Sequence, residues 1–420
     1  MLKCIDILPK LLILIKLQFF FNTFAIFLNF ININQLLYFM YKILTIIGAR
    51  PQIIKAAALS RIIRNYYSSL LKEIIVHTGQ HYDENMSQVF FDDLNIPYPD
   101  YNLNVGSASH GKQTGLMLER IEKVLLKEKP NALVIYGDTN STLAGALAAS
   151  KLLIPVFHIE AGLRSYNKTM PEEINRIMAD HVSTLLFCPT HQAIKNLEKE
   201  GFKLHLHRCD INHPKVILSG DVMYDNTLYF SKIAQKKSDV LKQLSLEGKE
   251  FILCTIHRNN NTDTPVRLNA IFSALLKISK EIQIVFPIHP RTKKMLETHL
   301  DNQLKSQIFS NKNITITDPV SYLEMILLES HCKMVITDSG GVQKESYFFK
   351  KPCVVLRPET EWVELLDTGT TLLADADEQK IISAYQELKN TSVEKFLPYY
   401  GDGNAAQKIA EEMLLFFQSK

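Results

Sequence analysis

Ala132-Leu133-Val134-Ile135-Tyr136 is an unbroken apolar run, and Gly137-Asp138-Thr139-Asn140-Ser141 follows it directly. Five apolar residues, a glycine turn and then the helix-forming stretch Ser141–Lys151 read as a strand, a polar turn and a helix. The unit recurs in both directions. Strands are expected at Ile43–Ile47, Glu73–His77, Ala132–Tyr136, Val156–Ile159, Leu185–Cys188 and Val216–Leu218. A second series follows at Phe251–Ile256, Ile282–Pro287, Ile314–Ile316, Met334–Thr337 and Cys353–Leu356. Helical stretches lie between them, among them Lys112–Lys127, Glu172–Ser183, Pro265–Ile278 and Ser321–Glu329. Such alternation implies parallel sheets covered on both faces. With the polar stretch Lys203–Pro214 between the series, it predicts two doubly wound, Rossmann-like α/β domains facing each other across a cleft. The expected divisions are 1–40 (an apolar extension), 41–214 (first domain), 215–400 (second domain) and 401–420 (a closing helix packed back on the first domain).

Ligands of open parallel sheets bind beyond the carboxyl ends of the strands, and unusual residues gather there. Ile47 leads into Gly48-Ala49-Arg50-Pro51, with Lys55 soon after, and His77 into Thr78-Gly79-Gln80-His81. Ile159 leads into Glu160-Ala161-Gly162-Leu163-Arg164, Ile256 into His257-Arg258, and Ile288 into His289-Pro290-Arg291. Thr337 leads into Asp338-Ser339-Gly340-Gly341 and on to Glu345. One such ending would be an ordinary turn or helix cap; endings of this kind from both domains imply a shared polar cleft. Ser339-Gly340-Gly341 opens a helix, where free N–H groups and the positive helix end suit a phosphate. Arg50, Lys55, His257 and Arg258 could neutralise a diphosphate, and Glu345 could accept ribose hydroxyls or simply form a surface ion pair. The GxGxxG and Walker fingerprints are missing, which argues against NAD and ATP.

The carboxylates suggest the chemistry. Asp138 and Glu160 should leave neighbouring strands, and Glu172 opens a helix after Pro171 within Met170-Pro171-Glu172-Glu173-Ile174-Asn175-Arg176. Crowded carboxylates in a closed cleft can act as acid and base because repulsion and burial separate their pKa values. The plainer alternative for Glu172 is helix-dipole complementation and a pair with Arg176. Asp338 could join these carboxylates, but capping the helix after it is the expectation. His205, His207, Cys209 and His213 match no common zinc spacing, and His77 and His81 are separated by a turn, so no metal is expected.

A net charge of +3 without basic blocks excludes a nucleic-acid surface. Six scattered cysteines without CxxC spacing fit free thiols in a reducing cytoplasm. Leu17 to Tyr41 carries no charge and is long enough to span a bilayer, but Asn22, Asn29, Asn32, Asn34 and Gln35 interrupt it. An upstream translated or disordered segment, a membrane anchor and a local interaction segment are the alternatives for it.

Together, Gly48–Lys55, Thr78–His81, Gly137–Thr139, His158–Arg164, Met170–Arg176, His257-Arg258, Pro287–Pro290 and Thr337–Glu345 resemble the non-hydrolysing UDP-N-acetylglucosamine 2-epimerases, in order and spacing, from about Met40 onward. The resemblance implies a fold like that of GT-B glycosyltransferases, a homodimer, and an active site between the domains. It implies a UDP-sugar substrate and no redox cofactor: loss of the C2 proton and of UDP leaves a 2-acetamidoglucal, to which UDP adds back. Asp138, Glu160 and Glu172 take the acid/base positions, with His257 beside them. Arg50, Lys55, Gln80, His257, Arg258, Ser339, Gly340, Gly341 and Glu345 take UDP-binding ones, and His81, Arg176 and His289 line the sugar cleft. Many members have Glu where this chain has Gln52, and Arg-Pro where it has Trp362-Val363. That combination resembles a branch acting on UDP-2,3-diacetamido-2,3-dideoxyglucuronate, so both changes are expected where sugar recognition or allosteric nucleotide binding is set. A hydrolysing epimerase, a GT-B glycosyltransferase and a non-catalytic sugar-nucleotide sensor are the competing classes.

Overall fold

A computed structural model describes residues 40–80, 96–204 and 209–419. The apolar extension, His81, His205 and His207 lie outside the described residues.

Two parallel sheets form the frame. In the first, β1 (Tyr41–Ile47), β2 (Leu71–His77), β3 (Tyr101–Asn102), β4 (Ala132–Tyr136), β5 (Val156–Ile159), β6 (Leu185–Cys188) and β7 (Lys215–Leu218) stand in the order β3-β2-β1-β4-β5-β6-β7. In the second, β8 (Phe251–Thr255), β9 (Gln283–Pro287), β10 (Ile314–Thr317), β11 (Met334–Thr337), β12 (Cys353–Val355) and β13 (Thr371–Leu373) stand in the order β10-β9-β8-β11-β12-β13. Both are doubly wound about a switch point, β1/β4 in one and β8/β11 in the other, where a cleft opens beyond the strand ends. Ile43, Leu44, Val134, Ile135 and Phe157, like Ile252, Leu253, Ile336 and Val354, are sealed from solvent, as strands covered by helices on both faces must be.

The structure moves the boundary placed at 214/215. β7 pairs in parallel with β6, Lys215 opposite Leu185 and Leu218 opposite Cys188, so the polar stretch 203–214 joins two strands of one sheet. The chain leaves the first sheet after Leu218 and enters the second at Phe251. It returns beside that exit: the Asp221 N–H donates to the Tyr400 carbonyl at 3.0 Å. The closing helix, Ala405–Gln418, lies on the first domain, with Phe417 stacked on Tyr41 at 4.6 Å and Phe416 edge-on to Phe157 at 5.2 Å. Its first turn is capped by Asp225, which accepts the Ala405 and Ala406 N–H groups at 3.1 and 2.7 Å. Among the described residues no helix is long and apolar enough to cross a membrane.

Candidate active site

β4 and β5 run side by side with Tyr136 opposite Ile159, so Asp138 and Glu160 emerge together. Glu160 has φ +69°, a left-handed conformation that costs a residue bearing a Cβ on the order of 1 kcal/mol. The turn is held because the Glu160 and Ala161 N–H groups both donate to the Phe187 carbonyl, at 3.1 and 3.0 Å. Behind both loops lies a sealed polar unit. His158 Nδ1 contacts Asp180 Oδ1 at 2.6 Å and Nε2 contacts the Gly137 carbonyl at 2.8 Å. Asp180 Oδ2 accepts the Gly162 N–H at 3.1 Å and an Arg164 N–H at 2.7 Å. One histidine–aspartate–arginine group therefore fixes the turns that carry Asp138 and Glu160.

The carboxylates differ in setting. Asp138 Oδ2 accepts from Arg176 at 2.6 Å, and the same guanidinium reaches Glu173 at 2.9 Å. Arg176 is thus paired with Glu173 and Asp138, not with Glu172 as the simple helix-pair alternative had it. Glu173 is buried and also accepts the Ser165 and Tyr166 N–H groups at 2.9 Å each, which leaves Glu172, exposed on the same helix start, as the carboxylate available to the cleft. Glu160 is buried: Oε1 accepts from Lys55 at 2.6 Å and Oε2 lies 3.5 Å from Lys344. Burial alone would raise its pKa, but Lys55 and then Lys344 hold it down at about 2. Gln80 is turned inward, accepting from Ser141 Oγ at 2.7 Å and the Ser141 N–H at 3.2 Å.

The second domain presents cations and a helix start. Asp338 does not cap the helix that follows; it accepts the His257 N–H at 3.1 Å, the Arg258 N–H at 3.0 Å and Asn261 Nδ2 at 3.1 Å. It thereby pins the end of β8 to the end of β11. The cap is Ser339, whose hydroxyl accepts the Val342 N–H at the start of the helix Gly340–Phe348. A Cβ at Gly340 would strike the Glu361 carboxylate, which Arg357 holds at 2.9 Å. Desolvation lowers the pKa of Arg50, Arg258 and His257, and Arg258 feels the field of Glu172 from the opposite domain. A cavity of about 250 Å³ lies between the sheets, lined by Arg50 from the first domain and by His257, His289, Tyr322, Met325 and Ser339 from the second. Burial raises Glu345 to about 7, against the pull of Lys344. Glu329, sealed nearby, is pushed well above the carboxylate range by burial and by Glu345.

Gln52 proves to be internal. Its Oε1 accepts the Gly48 and Ala49 N–H groups at 2.9 and 3.2 Å, and its Nε2 donates to the Tyr136 carbonyl and Thr142 Oγ1, each at 2.9 Å. A site needing two donors and two acceptors suits an amide, and the Gln52 side chain, 1% exposed, is taken up by the protein's own groups. Trp362 is buried and donates from Nε1 to the Gly340 carbonyl at 3.1 Å. Tyr322, Met325, Lys344, Arg357 and Glu361 were missed in the sequence. The segment after β10 would have yielded Tyr322 had the strand-end rule been applied to an ending without a charge cluster.

The family model described as UDP-N-acetylglucosamine 2-epimerase matches residues 67–414. The chain belongs to the UDP-N-acetylglucosamine 2-epimerase family. Among relatives, the UDP-2,3-diacetamido-2,3-dideoxy-D-glucuronate 2-epimerase of Pseudomonas aeruginosa is 50% identical over 371 residues, 88% of this chain and 98% of that one. The UDP-N-acetylglucosamine 2-epimerase of Methanococcus maripaludis is 45% identical over 375 residues, 88% of this chain and 97% of that one. The solved structure of the Methanocaldococcus jannaschii UDP-GlcNAc 2-epimerase, in complex with UDP-GlcNAc and UDP, superposes with a TM-score of 0.76 at 42% identity, covering 89% of this chain and 99% of that one. This family member thus has the two-domain, GT-B-like α/β architecture.

Proposed function

We propose that the chain inverts C2 of a UDP-2-acetamido sugar without hydrolysing it. The observation that carries this is the division across the cleft: Asp138, Glu160 and Glu172 on the first domain oppose His257, Arg258 and the Ser339–Gly341 helix start on the second. In the forward half-reaction a carboxylate takes the C2 proton. The C2–H electron pair forms the C1–C2 double bond, and the C1–O pair leaves with UDP, held by the cationic side. UDP then re-adds at C1 while C2 takes a proton on its other face, so two acid/base groups on opposite sides of the sugar are required. Arg50, Lys55, Gly340, Gly341 and Glu345 are proposed for the nucleotide, and Arg176 and His289 for the sugar end. The inward hydrogen bonds of Gln80 speak for an indirect part, through Ser141.

The substrate proposed first is UDP-GlcNAc, the compound named with the Methanocaldococcus complex. A second reading, UDP-2,3-diacetamido-2,3-dideoxyglucuronate, is favoured by the 50% identity to the Pseudomonas enzyme. Work as a homodimer in the cytoplasm is part of the proposal, the latter supported by the free thiols of Cys188, Cys254, Cys332 and Cys353. The test is proton NMR in D2O with each UDP-sugar in turn. The expected result is the C2 epimer with deuterium at C2 from one of them. Release of free sugar, or epimerisation without deuterium, would overturn the mechanism.

A further inference from the structure

Lys344 has no part in the roles assigned above, yet it is the most thoroughly enclosed cation near the cleft. It is 3% exposed, on the second-domain helix Gly340–Phe348. Its Nζ donates to Asp221 Oδ2 at 2.7 Å, on the stretch of chain between the two sheets, and lies 3.5 Å from Glu160 Oε2 in the first domain. The Trp362 ring lies 4.2 Å from the ammonium, a cation–π arrangement, and Trp362 is tied by Nε1 to the Gly340 carbonyl at the helix start. Glu160 Oε2 is buried without a hydrogen-bond partner among the described residues. A buried carboxylate oxygen in that position costs free energy unless a cation stands close.

We propose that Lys344 is a positioning residue that reaches from the second domain to keep Glu160 ionised and aimed, so that the proton-transfer group is complete only when the two domains are closed. The charged groups that act most strongly on Glu160 among the described residues fit this arrangement. Lys55 comes from the helix Arg50–Ile62, Arg176 from the helix Pro171–His181, and Lys344 from the second domain; Asp221 and Glu345 balance Lys344. Lys55 and Arg176 travel with Glu160 on the first domain, whereas Lys344 does not. Opening the cleft therefore withdraws one cation from a carboxylate that is otherwise fixed, and closing it restores an anion able to take a proton from C2. Trp362 forms the apolar face that confines the ammonium to the direction of Glu160.

The proposal rests on the epimerase reading only for the reaction that Glu160 serves, so its first test avoids turnover. Carbon-13 labelling of glutamate carboxyl groups, with the Glu160 signal identified by its loss in Glu160→Gln, follows the titration directly. In the unmodified chain the signal is expected to stay ionised to the lowest pH at which the protein remains folded. In Lys344→Met its midpoint should rise by about one pH unit or more, and Lys344→Arg should restore it. Trp362→Leu, which leaves both carboxylates and the lysine in place, should give a smaller rise and serves if Lys344→Met does not fold. An unchanged titration in the folded variants would overturn the proposal. With substrate, Lys344→Met should lower kcat about 100-fold and KM by no more than about threefold, and move the acidic limb of kcat to higher pH. A shifted titration in a protein that epimerises neither UDP-sugar would uphold the role of Lys344 and refute the epimerase reading instead.

Discussion

At the ends of β4 and β5, Asp138 and Glu160 each have a cation at 2.6 Å. At the ends of β8 and β11 the arrangement is reversed: His257 and Ser339 line a cavity, and the acid beside them, Asp338, is turned inward onto backbone N–H groups. The strand orders of the two sheets correspond, so the difference lies in the turns. In the first domain the turns are braced by side-chain networks that set the direction of the carboxylates. In the second they are braced by backbone contacts to Asp338, which leave side chains and helix N–H groups facing the cleft. Proton transfer demands the former and capture of a diphosphate the latter.

The comparison breaks most sharply at the carboxylates. Asp138→Asn and Glu160→Gln should each lower turnover about 1000-fold while UDP affinity, measured by calorimetry, stays within a few fold. Unchanged rates in both would remove the first domain from the chemistry. Next comes the bracing behind them. His158→Ala leaves Asp180 buried without one of its partners and should cost about 3 kcal/mol in denaturant unfolding; a loss below about 1 kcal/mol would mean that the network is slack.

The second domain should answer to pH instead. If Glu345 accepts ribose hydroxyls as a carboxylate, its pKa of about 7 makes UDP binding compete with protonation. The sign follows: UDP prefers the ionised form, so the dissociation constant should rise as pH falls below about 7, by up to tenfold per unit. Glu345→Gln should flatten that dependence, and a flat profile in the unmodified chain would exclude the role. The smallest effect expected is at Ser339→Ala, where loss of the cap should cost about 1 kcal/mol of stability, read as a shift in thermal midpoint, with UDP binding weakened a few fold.

Both sheets and most strand ends were legible because long apolar runs ended in glycine and charge. What escaped had physical reasons. β3 and β13 have two and three residues, too few for any alternation to register. The helix Arg50–Ile62 buries Ala56, Ala57, Ala58, Leu59 and Ser60 in succession, so it lacks the polar face by which helices are recognised. The polar stretch 203–214 reads as a domain boundary yet joins two strands of one sheet, because polarity marks a loop whether or not a domain ends there. Asp before Ser-Gly-Gly reads as a cap, yet the backbone just beyond β8, far away in sequence, claims Asp338 instead. Lys344, a lysine in the first turns of a helix, looks like a solvated face until Asp221, Glu160 and Trp362 close around it.

The two passages of chain between the domains lie side by side, tied by the Asp221 N–H and the Tyr400 carbonyl. On the proposed reading, this meeting place is where the domains would turn, like the covers of a book. Turning cannot alter the spacing of Asp138 and Glu160, which share a sheet, but it changes how far the phosphate-facing helix stands from both. On the proposed reading, the end of the molecule that handles protons is a fixed ruler, and the end that holds UDP is a sliding one. A bulkier sugar would be met by a change of angle, with the distance between the proton-transfer groups left as it was.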